Sequence, residues 1–144
     1  MIQLTGEMAR MINSARTSGH PCTIATASSD GVPNTGFIGA MMAFDDSSLA
    51  YRDRSGLSPL EHIEENPRLV VLFRDPVQEV GWKFRCTAAV HRDGAVYDQV
   101  MRRLVESGLT LDPAVKGAAV LLQIDQVLTL FGEVLQERVP GMSW

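Results

Sequence analysis

Trp82-Lys83-Phe84-Arg85-Cys86-Thr87-Ala88-Ala89-Val90-His91 alternates without a break. Trp82, Phe84, Cys86, Ala88 and Val90 fall on one side; Lys83, Arg85, Thr87, Ala89 and His91 fall on the other. A period of two is that of an extended strand with one face in a core, and the apolar side marks the core here. Ahead of it, Arg68 to Arg74 contains the continuous apolar run Leu69-Val70-Val71-Leu72-Phe73, which reads as a strand buried on both faces and ended by Asp75-Pro76. Behind it, Asp93-Gly94 turns the chain into an amphipathic helix. Its stripe is Val96, Tyr97, Val100, Met101 and Leu104, with Arg102, Arg103 and Glu106 outside it and Gly108 closing it.

Further out, the same punctuation recurs. Cys22 to Ser28 reads as a strand ending at Asp30-Gly31, a hairpin signal, with Val32 to Phe44 as its return partner. Asp45-Asp46-Ser47-Ser48 turns the chain into a third strand, Leu49 to Asp53. A short helix then starts with Ser58 as cap, Pro59 in the first helical position and Glu61 placed for a capping box, and Asn66-Pro67 ends it. An N-terminal helix has Thr5 as cap, Met8, Met11, Ile12 and Ala15 on one face, and Gly19 with Pro21 as its stop. Ala118 to Glu137 returns to strand, bending near Asp125-Gln126 and Gly132. The order α, β, β, β, α, β, β, α, β, β has too few helices to cover both faces of a parallel sheet. It predicts a single mainly β domain over residues 1–144, an antiparallel barrel flanked by short helices.

Composition narrows the function. The 144 residues are 45% hydrophobic and carry a formal net charge of −4, from 13 Lys plus Arg against 17 Asp plus Glu, so no general polyanion-binding surface and no nucleic-acid partner are expected. No apolar run reaches the ~18–20 residues of a membrane span, and the N-terminus has no signal-peptide pattern, so a cytoplasmic protein without a membrane partner is expected. Cys22 and Cys86 lack metal-type spacing and read as small core thiols. His20, His62 and His91 are not at ligand spacing and read as surface residues, so no metal site is expected. There is no nucleophile elbow, P-loop or dinucleotide fingerprint.

The succession Thr26-Ala27-Ser28-Ser29-Asp30-Gly31-Val32-Pro33, an acidic turn after Phe44, a short helix ending in Asn66-Pro67, an apolar strand and then a basic alternating strand resembles the pyridoxamine 5′-phosphate oxidase-like family of FMN-binding split β-barrels. The likeness covers about Pro21 to Val90 and, more loosely, Ala118 to Gln136. It implies a homodimer with two FMN molecules in clefts between the subunits, a small-molecule substrate, and a nicotinamide or other electron donor. The residues matching the family's phosphate-binding regions are Tyr51, Arg52, Asp53, Arg54 and Ser55, then Ser58, then Lys83 and Arg85. The isoalloxazine ring is expected against the backbone of Thr35, Gly36, Phe37 and Ile38.

The pattern also departs from the family. Its Ser-Arg-Lys falls on Leu57-Ser58-Pro59, its strand Arg and Lys fall near Phe37 and Met42, and its Gln falls on Lys83. The tail Gln136 to Trp144 has no Arg-rich ending, which argues against pyridoxamine phosphate as the substrate.

Arg52 and Arg54, two apart, share a strand face and with Ser55, Ser58, Lys83 and Arg85 form a candidate phosphate cradle. The plainer alternatives are an edge strand in solvent or ion pairs with Asp53, Glu61 and Glu64, and for Lys83 and Arg85 surface or interface pairs. Trp82 reads as core rather than as a flavin stack. Trp144 is expected on a partner subunit, over the cleft, or disordered. No catalytic side chain is nominated. The expected function is flavin-dependent oxidation–reduction of a small molecule, the alternative a dimer of the same fold that holds a flavin, deazaflavin or haem without turnover.

Overall fold

The computed structural model describes residues 1–54 and 60–144. The chain runs α1 (Gly6–Asn13), β1 (Cys22–Ala27), β2 (Pro33–Ile38), β3 (Met41–Asp45), β4 (Ser48–Asp53), α2 (Leu60–Glu65), β5 (Arg68–Asp75), β6 (Val80–His91), α3 (Gly94–Glu106), β7 (Ala118–Leu128) and β8 (Val134–Glu137). All eight strands form one antiparallel sheet in the order β2-β1-β5-β6-β7-β4-β3, with β8 added to β7.

The two ends of that order are joined by only Gly39 and Ala40, so β2 and β3 meet at one end of the molecule and the sheet curls. Packing confirms the curl. Ile24 of β1, Phe73 of β5, Phe84 of β6, Ile124 of β7, Leu49 of β4 and Met41 of β3 belong to one buried cluster. The result is a split β-barrel with flanking short helices. Each fully buried large side chain in this cluster contributes roughly 1.5–3 kcal/mol of burial.

α1 adds Met8, Met11 and Ile12 to the same core, and Thr5 Oγ1 caps it by accepting from the Met8 N–H at 3.1 Å. α3 covers the outer face of the other half, where Val100 and Leu104 pack on Met42, Ala50 and Ala119. Arg103, expected outside the stripe, instead donates to the carbonyls of Ala43 at 2.7 Å and Phe44 at 2.9 Å, bracing β3 where its pairing slips.

Two expectations are corrected. Val32 to Phe44 is two strands, because the chain breaks at Gly39-Ala40 and its halves pair with different neighbours, β1 and β4. The run at 68–74 is buried on one face only: Leu69, Val71 and Phe73 face the core, while Val70 is half-buried and Leu72 exposed on the outer face. Among the described residues no helix covers Leu72 on that face, and Phe37 of β2 is 74% exposed. Among the described residues no helix is long and apolar enough to cross a membrane.

Candidate functional site

Strand alternation sorts the end of β4. Tyr51 and Asp53 point inward and are buried, while Arg52 and Arg54 turn outward onto one face, as their spacing requires. Burial, reinforced by the nearby Asp53 charge, pushes the Tyr51 hydroxyl well above its ordinary range. Arg52 donates through Nη2 to the Val115 carbonyl, yet its Nε is buried with no hydrogen-bond partner among the described residues. Gly117 makes this packing possible. At φ +67°, a Cβ there would lie 2.5 Å from the Asp53 carbonyl oxygen and 3.2 Å from Arg52 Nε.

Arg52 and Arg54 line a cavity of about 180 Å³ with Arg16, Gly39, Ala40 and Leu104. Gly39 and Ala40 directly continue β2, so the segment Thr35, Gly36, Phe37 and Ile38 leads into the cavity. A Cβ on either Gly36 or Gly39 would meet nothing within 4 Å, so the backbone there is open to close approach. Among the described residues Arg16 and Arg54 have no ion pair or side-chain hydrogen bond, and none of the described residues lining the cavity is a carboxylate. One buried Arg52 N–H without an acceptor, beside the exposed guanidinium groups of Arg16 and Arg54 on the same hollow, is the donor chemistry that suits an anion.

Lys83 and Arg85 lie elsewhere in the chain. Both are on the outer face of β6, opposite Leu128 and Gln126 of β7, whereas Arg52 is opposite Ala119. Seven positions along β7 separate Arg52 from Arg85, roughly 23 Å at ~3.3 Å per residue. A phosphate cradle uniting all four cations is therefore not formed within one chain. Ser55 and Ser58 lie outside the described residues.

Arg85 has partners of its own: Nη1 donates to Gln126 Oε1 at 2.9 Å, and its guanidinium lies 5.2 Å from the Trp144 ring centre, with that of Arg68 at 5.7 Å. Trp144 is thus ordered on its own barrel, contrary to expectation. A β-bulge at Arg85/Cys86 leaves Asp125 without a strand partner and turns it to the outer face. There its carboxylate accepts from Thr87 Oγ1 at 2.6 Å, Arg138 Nε at 3.0 Å and Trp144 Nε1 at 3.0 Å. That buried acceptor is the anchor the tail sequence did not reveal.

The remaining reactive groups are structural. Cys22 and Cys86 are buried free thiols; burial pushes Cys22 up to about 12 and Cys86 well above its ordinary value. Trp82 is core, stacked on Phe73 with ring centres 6.2 Å apart. His20 lies 3.6 Å from Asp75, and among the described residues no three His, Cys, Asp or Glu could hold a metal. Arg16 was not singled out by sequence reasoning, because nothing in its local pattern shows that it reaches β4.

HupZ from Group A Streptococcus is similar to this chain, at 22% identity over 92% of this chain and 99% of that one, with a TM-score of 0.76. A pyridoxamine 5′-phosphate oxidase-related, FMN-binding protein from Nostoc punctiforme is 15% identical, covering 99% and 96% with a TM-score of 0.66. An FMN-binding protein from Syntrophomonas wolfei is also 15% identical, covering 90% and 89% with a TM-score of 0.62. No curated protein sequence matches the chain. The family model described as pyridoxamine 5′-phosphate oxidase matches residues 4–130. With the split barrel on the same residues, that match establishes that the chain belongs to the pyridoxamine 5′-phosphate oxidase family.

Proposed function

We propose that the protein is a homodimer that binds FMN and uses it to oxidise or reduce a small molecule. The observation that carries this reading is the cavity in which the end of the β2 segment meets the guanidinium groups of Arg52 and Arg54. The residues fit the phosphate end of the cofactor: two cations, a buried Nε–H lacking an acceptor, and a hollow of about 180 Å³. Whole-cofactor pockets run to roughly 300–1,000 Å³, so the ring lies outside this hollow, along the open backbone at Gly36 and Gly39.

A second copy supplies the rest. The outer face of β2, β1, β5 and β6 presents Phe37, Val70 and Leu72 with no helix among the described residues to cover them, and such a patch suits an interface. Lys83 and Arg85 stand on that same face, so a ligand touching them together with Arg52 needs two chains. FMN, when bound, supplies the hydride and electron chemistry; Arg52 and Arg54 hold its phosphate, and the interface keeps water from the ring. Pyridoxamine phosphate is not the proposed substrate, since the tail that would bind it is tied to Asp125 instead.

A second reading, a flavin carrier or sensor without turnover, is favoured by one observation: the described residues lining the cavity include no Asp, Glu, His or Cys to move a proton. Heat denaturation followed by chromatography of the released small molecule tests binding, with near-stoichiometric FMN expected. Mixing the flavin-loaded protein with NADH or NADPH and then an acceptor separates the readings. Bleaching and recovery of the flavin spectrum support the enzyme, and a spectrum that neither donor changes supports the carrier. A protein that neither releases nor takes up FMN contradicts both.

A further inference from the structure

Arg16 stands on the turn after α1, far in sequence from β4. Its neighbour Ala15 is 2% exposed in the core, the His20 N–H donates to the Ala15 carbonyl at 3.0 Å, and the Gly19 N–H donates to the Arg16 carbonyl at 3.2 Å. This turn fixes the Arg16 backbone at the junction of two hollows. One is the 180 Å³ cavity shared with Arg52 and Arg54; the other, of about 570 Å³, lies between α1 and α3 and includes Arg10 and Arg103. Arg103 is committed to the carbonyls of Ala43 and Phe44, whereas Arg16 has no partner among the described residues.

The chain has 17 acidic residues and a net charge of −4, yet among the described residues none of those acids lines the cavity that Arg16, Arg52 and Arg54 share. Like charges gathered without a counter-ion repel one another, and a bound dianion relieves that repulsion. A phosphate monoester carries roughly −1.5 to −2 at neutral pH and matches three cations better than two. The basic residues that the resemblance would place at Ser58 and Pro59 and near Phe37 and Met42 are absent from the sequence. We propose that Arg16 supplies the missing charge, completing with Arg52 and Arg54 a three-guanidinium site for the phosphate of the cofactor. The inference rests on the FMN reading above and adds a ligand from an element that reading does not use.

FMN and riboflavin, which differ by the phosphate, are titrated against wild type, Arg16→Ala, Arg16→Lys and the Arg52→Ala/Arg54→Ala double variant, following flavin fluorescence. Far-ultraviolet circular dichroism and thermal melting confirm that each variant is folded. Arg16→Ala is expected to weaken FMN about ten- to a hundredfold, as for a lost charge-assisted bond, and to leave riboflavin within about twofold; Arg16→Lys retains most of the affinity. Unchanged FMN affinity in Arg16→Ala, beside a loss in the double variant, overturns the role of Arg16 and leaves the FMN reading standing. Equal weakening of FMN and riboflavin overturns it too, because Arg16 then acts on something other than the phosphate. If all variants bind FMN like wild type, the phosphate site at this cavity falls and this inference with it, while FMN binding itself stands; if wild type binds none, the FMN reading falls and takes this inference with it.

Discussion

The molecule carries two groups of arginines, and they end in opposite states. Around Asp125, Arg138 pairs with a carboxylate whose side chain is 2% exposed, Arg85 donates to Gln126, and Trp144 ties the tail down between them. Around the cavity at the β2–β3 junction, Arg16 and Arg54 have no partner among the described residues and Arg52 leaves a buried N–H unused. Both groups look alike in the sequence. The difference teaches that a satisfied group holds the fold together, while an unsatisfied one around a hollow is left for a ligand.

The comparison breaks most visibly at the cavity. Replacing both Arg52 and Arg54 with Ala is expected to weaken FMN binding by about 3–6 kcal/mol in total, at roughly 1.5–3 per charge-assisted bond. Affinity equal to wild type, measured by fluorescence titration, removes them from the site. At the satisfied group the effect is on stability. Asp125→Ala strips acceptors from Thr87, Arg138 and Trp144 and is expected to cost about 2–4 kcal/mol in urea denaturation, part of it regained by solvation of the half-exposed Arg138. A midpoint unmoved by that change would show the cluster to be incidental.

Trp144→Phe sharpens the same side by removing the indole donor and trimming the ring that Arg85 and Arg68 lie over, with an expected loss of about 1–2 kcal/mol and a loosened tail visible as faster proteolysis near Pro140. Arg54→Ala is the mirror control, since an exposed, unpaired cation contributes no bond to the fold; its stability is expected within about 0.5 kcal/mol of wild type.

A satisfied carboxylate of a third kind gives the pH dependence. Asp75 accepts from the N–H groups of Gln78 and Val77, which hold it below the usual carboxylate range. A lowered folded value means stability that is present above the ordinary carboxylate pKa and is lost as pH falls through the folded one, below about pH 4. Asp75→Asn should flatten that acid limb in denaturation curves recorded from pH 6 to 3, and an unchanged limb counts against this role.

Most of the barrel was legible because alternation and turn chemistry are local. Residues 82–91 announced both faces of β6, Asp30-Gly31 announced the first hairpin, and Thr5 announced α1. The errors came where a neighbour decides. Val70 and Leu72 look buried in sequence, yet Val70 is only half-buried and Leu72 exposed, because they point to the outer face of the sheet. The break at Gly39-Ala40 shows only when β2 and β3 are seen to pair with different strands. At the site, the face shared by Arg52 and Arg54 followed from spacing. The distance from Arg52 to Arg85 and the approach of Arg16 depend on how the sheet curls, and no short stretch of sequence encodes that.

The central claim is that the cavity at Arg52 and Arg54 holds the phosphate of a flavin. It is tested most directly by the affinities of the wild-type protein for FMN and for riboflavin under identical salt. A phosphate held by these guanidinium groups makes FMN bind at least a hundredfold more tightly, and the gap closes in the double variant. Equal affinities for the two flavins in the wild-type protein would contradict the claim.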